Sequence, residues 1–406
     1  MSFFGVTKNT IEKIYPHPNA DKLELGKVSG LNFQFVMGIG SYKVGDEVLY
    51  FPIDSLIPTP LAEKMGLIGF NPDNEYHRIK TVTLRGEISQ GFVCPPKSDY
   101  IDNEIFALGD SEEITKHLGV IKFEPEEKIC QDGILKDLPS GLGVYDIDGA
   151  ERNMGVFELL MDKNVQITEK LEGSNFSVAS YANGKITVNS RNNTIEEIKS
   201  FRLPKTPEAI AKNMVSILYN MEVIDRPSKD NQDAVAFGNH IANAMTEKLK
   251  QDLTPKKNVF WEVARRESVI ELAKRLSNEL GKSVVVYGEL IGPGIQSNYY
   301  GLKDCTVKLF DVKIADDESN TSWHWMPAED FMKKINEFYG DKVHTVPVLF
   351  IGKFKDWIGD SNIVTLSSGL SKLSKKLREG VVIKMLGEER VIIKQRDPIY
   401  LSKTGN

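Results

Sequence analysis

The chain is poor in cysteine. It has three in 406 residues, Cys94, Cys130 and Cys305, each isolated. Such spacing offers neither a zinc site nor a disulfide framework, and it fits a cytoplasmic, reducing location. No run of 18 apolar residues occurs, so no membrane span is expected. The opening Met1-Ser2-Phe3-Phe4-Gly5 lacks the basic-then-apolar pattern of a secretory signal. Basic charge is not in excess: 51 Lys and Arg stand against 57 Asp and Glu, a net charge of −6. That argues against a general nucleic-acid coat but leaves room for a local basic face. None of the six histidines pairs at metal-site spacing on a helix or lies near a Gly-x-Ser-x-Gly elbow, so Ser–His or Cys–His nucleophilic catalysis is unsupported. Gly292-Pro293-Gly294 is not followed by Gly-Lys-Ser/Thr and is therefore no P-loop; it is expected to turn the chain tightly after Glu289.

What is present centres on Glu169-Lys170-Leu171-Glu172-Gly173-Ser174-Asn175, flanked by strand-like Val165–Thr168 and Phe176–Val178. A lysine at a strand end, followed by an acid and a glycine, can attack a nucleotide α-phosphate and hold the nucleotide as a phosphoramidate. The tetrapeptide also occurs in ordinary surface turns, so its weight comes from further segments downstream. An unprotonated lysine needs cations or a metal close by. Charge developing on phosphate needs Lys, Arg or a divalent metal. The metal needs carboxylates, commonly through its waters, and the base needs aromatic and aliphatic faces.

Residues of each kind follow in order. Arg191 ends a strand-like run from Lys185. Glu289 closes Val284–Gly288, and Phe310 lies in Val307–Val312. Glu379 precedes Gly380–Lys384. Lys394 and Arg396 lie in Val391–Arg396, where strand alternation puts them on one face, suited to a triphosphate. From Ser371 to Asn406 there are nine Lys or Arg and four Asp or Glu, and Ser371–Arg378 reads as a solvated basic helix.

This ordered set resembles the six motifs of the covalent nucleotidyltransferases: ATP-dependent RNA and DNA ligases and mRNA capping enzymes. The resemblance covers about residues 165–396. Ile14–Glu24, Tyr42–Asp46, Leu84–Gly91 and Gly288-Glu289 running into Gly292–Gln296 resemble the RNA ligases that carry an OB domain ahead of the ligase domain. The resemblance implies that Lys170 becomes lysyl-AMP. Glu172, Glu289 and Glu379 would orient the lysine and a hydrated metal, Mg²⁺ or Mn²⁺. Glu169, Asn175 and Arg191 would contact the nucleotide, Phe310 would stack on adenine with Val382 opposite, and Lys394 and Arg396 would grip the triphosphate. Glu172 stands where aspartate is commoner, and Arg396 where many relatives have lysine. The implied reaction joins an RNA 3′-hydroxyl to a 5′-phosphate through lysyl-AMP and an RNA-adenylate. Nicked duplexes with RNA on the 3′-hydroxyl side are the implied substrate, and no protein partner is implied. Plain alternatives exist for each residue: a turn lysine, structural salt bridges, an ordinary core phenylalanine. As whole-protein alternatives, a DNA ligase or capping guanylyltransferase usually places its OB domain after the last motif, whereas here ten residues follow Arg396. An RNA-binding protein with an inactive ligase domain should have lost the lysine, an acid or the cation pair.

The expected fold is α+β in three parts. Residues 1–118 carry short strands (Gly26–Val28, Phe33–Gly38, Glu47–Pro52, Ile79–Leu84, Gly91–Cys94) broken by turn residues, a small all-β barrel of OB type. Its candidate nucleic-acid contacts are Tyr15, Lys22, Tyr42, Lys43, His77, Arg78, Lys80 and Arg85. Residues 119–150 read as a Pro-, Gly- and acid-rich linker. Residues 151–406 form a nucleotidyltransferase (adenylation) domain with antiparallel sheets and a helical insertion at about 205–281. Thr206-Pro207 starts the first helix there, with Ile210, Met214, Ile217 and Leu218 on one face. A second helix carries Phe237, Ile241, Ala244, Met245 and Leu249. A third carries Val269, Leu272, Leu276 and Leu280 and ends at Gly281.

Overall fold

The computed structural model describes residues 4–67, 71, 73–95, 110–124, 134–139, 141–153, 155–197, 207–220, 232–253, 258–340 and 344–405. Among these, the N-terminal part is a nearly closed antiparallel barrel. Five strands run in the order Phe35–Gly38, Leu23–Val28, Thr7–Pro16, Glu47–Phe51, Phe92–Cys94, and a three-stranded sheet orders Ile121–Lys122, Ser55–Pro58, Tyr76–Arg78. Glu47–Phe51 shows how the barrel is filled. Side chains alternate across a strand, so Leu49 and Phe51 enter one core with Ile57, Ala62 and Ile114, while Val48 and Tyr50 enter another with Phe33 and Phe35.

The central strand, Thr7–Pro16, is absent from the sequence reading. Its sequence is mostly polar, and Ile11 is its one buried side chain, so it shows no period-two pattern. It is a strand because its backbone is paired on both sides, with Leu23–Val28 and with Glu47–Phe51. The expected strand Ile79–Leu84 is divided: Tyr76–Arg78 and Val82–Leu84 are strands, and Ile79 is buried between them.

The second part holds two sheets. One has seven antiparallel strands in the order Ile134–Asp137, Asn193–Glu196, Ile186–Asn189, Ser174–Ser180, Val284–Ile291, Thr306–Ala315, Trp323–Trp325. Its first strand comes from the stretch that reads as a linker. The other sheet orders Asp148–Gly149, Ile392–Arg396, Gly380–Met385, Asn164–Lys170, Val348–Lys353, with only the first pair parallel.

Helices Val259–Arg266 and Val269–Leu280 cover one face of the seven-stranded sheet. Phe260, Val263, Leu272 and Leu276 pack there on Phe176, Val178, Val286 and Leu290. Gly281 ends the second helix in the left-handed conformation, as its position suggests, but Leu280 points outward, 40% exposed. Helices Pro207–Asn220 and Gln232–Leu253 pack on each other, and Met214 and Phe237, expected inside, are exposed. Thr206 and the side chains of Ile217 and Leu249 lie outside the described residues.

Ser371–Arg378 is not a helix. Ser371 and Ser374 turn their hydroxyls onto the backbone N–H groups of Leu373 and Lys376, and Leu370 bridges to Leu377. Serine hydroxyls compete with helical hydrogen bonds in this way. Cys94 is buried and forms no disulfide, its thiol pushed up to about 12 by burial, and the thiol of Cys305 donates to Pro293 O at 3.2 Å. Cys130 lies outside the described residues. No helix among the described residues is long and apolar enough to cross a membrane.

Candidate active site

Lys170 is the last residue of its strand, and Ser174 opens the next, in the other sheet. The turn Leu171-Glu172-Gly173 is therefore the crossover between the two sheets. Gly173 is required there. A Cβ on it would lie 2.4 Å from Leu290 O and 2.8 Å from Glu289 Cγ, so the turn can pass close to the Glu289 strand only without a side chain. A cavity of about 460 Å³ opens between the sheets, and all the site residues expected from the sequence line it.

Strand register explains the grouping. Lys170 pairs with Gly380, which puts Glu379 beside it, and Lys170 Nζ donates to Glu379 Oε1 at 2.6 Å. Asn175 pairs with Glu289. Val382 pairs with Thr168 on one side and with Lys394 on the other. Phe310 is half-buried, with its ring 5.0 Å from that of Tyr145.

Glu289 is pushed up to about 8, first by burial and then by the Glu379 charge, against the pull of Lys170 and Arg191. Lys394 is brought down to about 8, first by burial and then by Lys170 and Arg396, although Asp146 opposes the shift. Glu169 is 1% exposed; its Oε2 accepts from Lys372 N at 2.8 Å, and its buried Oε1 has no hydrogen-bond partner among the described residues. Glu172 is held by Ser297 Oγ at 2.9 Å and by the Tyr400 hydroxyl.

Several groups at the site are missing from the sequence reading. Asp146 holds Lys394 at 3.2 Å and stands 3.9 Å from both Arg191 and Lys122. Burial would raise its carboxyl, but Lys394, Arg191 and Lys122 together hold it below the usual range. Asp54, from the barrel, holds Arg396 at 2.9 Å and Arg78 at 2.6 Å; burial again opposes, and Arg396 and Arg78 prevail. Each of the two late cations thus has a carboxylate counter-charge and, beyond it, a second cation. Asp146 lies in the apparent linker and Asp54 in a barrel turn, and neither has a spacing that marks it. Deeper in, Asp311 is fully buried and binds Lys384 at 3.3 Å, Arg390 at 2.8 Å and the Tyr145 hydroxyl at 3.0 Å.

Among the described residues no three His, Cys, Asp or Glu side chains converge as direct metal ligands. The donor set does fit a cation that keeps its waters. The Glu379 charge opposes ionisation of Glu289, and a hydrated divalent ion would favour the carboxylate there.

The architecture is a two-sheet domain with a lysine at the sheet crossover and an OB-like antiparallel barrel ahead of it. The RNA ligase family model matches residues 238–396, and an OB-fold domain model matches residues 6–96. The stretch that matches the RNA ligase model thus lies behind the stretch that matches the OB-fold model. Solved structures of a Naegleria gruberi RNA ligase resemble it from end to end. A mutant with ATP and Mn gives a TM-score of 0.71 at 22% identity, covering 99% of each chain. The form with PPi gives 0.69 at 22% identity, covering 100% of this chain and 99% of that one. At that identity the likeness is one of fold. The beta subunit of phenylalanine–tRNA ligase from Prochlorococcus marinus is 26% identical over 225 residues, 49% of this chain. The chain spans about a quarter of that curated relative, 24% of its length.

Proposed function

We propose that the protein is an ATP-dependent RNA ligase that works through a nucleotide held on Lys170. The observation that carries this reading is the Lys170 amine, 2.6 Å from Glu379, in the same cavity as the Lys394 and Arg396 cations. In the first step Lys170 Nζ attacks the α-phosphorus of ATP. A P–N bond forms, the bond to the β-phosphate bridge breaks, and pyrophosphate leaves. Glu379 orients the amine. Lys394 and Arg396 meet the phosphates and offset charge that grows on the departing pyrophosphate. Phe310 and Val382 take the two faces of adenine, Asn175 and Arg191 meet the ribose and phosphate side, and the buried Glu169 also contacts the nucleotide. A divalent ion held through water by Glu289 and Glu379, with Glu172 at the rim, would polarise the α-phosphate. In the second step an RNA 5′-phosphate oxygen attacks the phosphoramidate phosphorus, which frees Lys170 and leaves a 5′–5′ pyrophosphate on the RNA. In the third, a 3′-hydroxyl attacks that 5′-phosphate and AMP leaves. The substrate proposed is a nicked duplex with RNA on the 3′-hydroxyl side.

The test is incubation with α-labelled ATP or GTP and Mg²⁺ or Mn²⁺, followed by denaturing electrophoresis and acid. An acid-labile label from ATP alone, absent in Lys170→Met while RNA binding persists, supports the reading. A label retained in Lys170→Met sinks the mechanism, and a label from GTP alone moves the reading to capping. Nicks with RNA or DNA on either side then decide the substrate.

A further inference from the structure

The helix Pro398–Thr404 follows the Arg396 strand at once and is capped by Asp397, whose side chain accepts from Ile399 N at 2.9 Å. It carries the chain from the ligase sheets to the barrel. Tyr400 and Leu401, each 1% exposed, join Phe33, Phe35 and Tyr50 in the barrel core. The ring of Tyr400 thus serves the barrel, but its hydroxyl reaches the crossover turn and donates to Glu172 Oε2. The other carboxylate oxygen of Glu172 accepts from Ser297 at 2.9 Å, and its backbone N–H donates to the Tyr300 hydroxyl at 2.7 Å. Tyr299 packs edge-on against both Tyr300 and Tyr400, ring centres 5.5 and 5.4 Å apart. The residue two places after the nucleophile is therefore fixed at side chain and backbone.

We infer that Tyr400 is a positioning residue for the Lys170 reaction: its barrel-seated hydroxyl holds the Glu172 carboxylate in place beside the nucleophile. The physical reason is competition. Lys170 is oriented by Glu379 at 2.6 Å, and Glu172 is a second carboxylate only two residues away. A phenol-to-carboxylate hydrogen bond is charge-assisted and stronger than a neutral one. Deleting it frees Glu172 to swing toward Lys170 and to leave its place in the crossover turn.

The inference rests on the proposed adenylylation of Lys170, so the wild-type protein labelled from ATP is the control. In Tyr400→Phe the ring stays in the barrel core and the melting temperature should stay within about 2 °C of wild type. At saturating ATP the single-turnover rate of adenylylation should fall about tenfold, with KM for ATP unchanged. Ser297→Ala, which removes the other hydroxyl, should slow the same step. Glu172→Gln combined with Tyr400→Phe should be no slower than Glu172→Gln alone, because both act through one group. A wild-type rate in Tyr400→Phe overturns the inference. So does full additivity in the double variant, which would make Tyr400 act without Glu172. Failure of the wild type to label is a different result and strikes the adenylylation reading itself.

Discussion

Replacing Glu289 by glutamine should make the nucleotide-free protein more stable, by a margin that opens as pH rises from about 4.5 and is complete above about 8. The folded state moves this carboxyl from its ordinary 4.5 to about 8, chiefly by burial and then by the Glu379 charge. Between those values the folded protein keeps a proton on Glu289 that the unfolded chain has released. Stability from that proton is fully present below pH 4.5 and is lost as pH rises through about 8. At about 1.4 kcal/mol per tenfold change, the carboxylate form costs the folded state on the order of 5 kcal/mol above pH 8. Solvent reaches a half-buried pocket carboxyl and screens part of this, leaving about 2–3 kcal/mol. Glutamine has a similar shape and no charge to desolvate. Thermal unfolding without metal should therefore show Glu289→Gln melting about 3–5 °C above wild type at pH 9 and nearly level with it at pH 5. Mn²⁺ at pH 9 should stabilise the wild type and leave the variant nearly unmoved, since the cation needs the carboxylate. Adenylylation should be lost in the variant, which marks the strain as functional. A gap of equal size at both pH values, or a variant less stable than wild type at pH 9, would refute the reasoning.

Three further outcomes are expected. Asp54→Ala leaves Arg78 and Arg396, 16% and 20% exposed, without their shared counter-charge; it should cost about 3 kcal/mol in thermal unfolding, and added pyrophosphate should restore part of it, whereas no change in melting would show the pair to be idle. Gly173→Ala drives a methyl to 2.4 Å from Leu290 O and should destabilise by about 1–3 kcal/mol and abolish labelling, while Gly155→Ala, with open space around it, should keep wild-type labelling. Phe310→Ala should raise KM for ATP about tenfold with kcat little changed, because stacking serves bound substrate and transition state alike; a fall in kcat alone would argue against a stacking role.

Much of the site is legible in the sequence because strands encode it locally. Lys170, Glu289 and Lys394–Arg396 each belong to or end an apolar run, and alternation along a strand fixes which neighbours share a face. Gly173 is legible as a turn, but the reason it admits no side chain, the Leu290 carbonyl beneath it, is not. The strand Thr7–Pro16 is hidden because its single buried residue gives no period. Ser371–Arg378 misleads because its cations and leucines suit a helix, while its serines satisfy the backbone another way.

The sequence by itself determined the candidate nucleophile, the order of the acids and cations around it, and the barrel-first arrangement, since each is written in a few consecutive residues. Tertiary structure alone decided the partners of those charges: Asp54 for Arg396, Asp146 for Lys394, Tyr400 for Glu172. These pairs lie 342, 248 and 228 residues apart in the chain. A short-range pattern carries no information about which distant carboxylate or hydroxyl will arrive. What selects them is the cost of leaving a half-buried charge unpaired, and that cost exists only once the sheets and the barrel have closed around it.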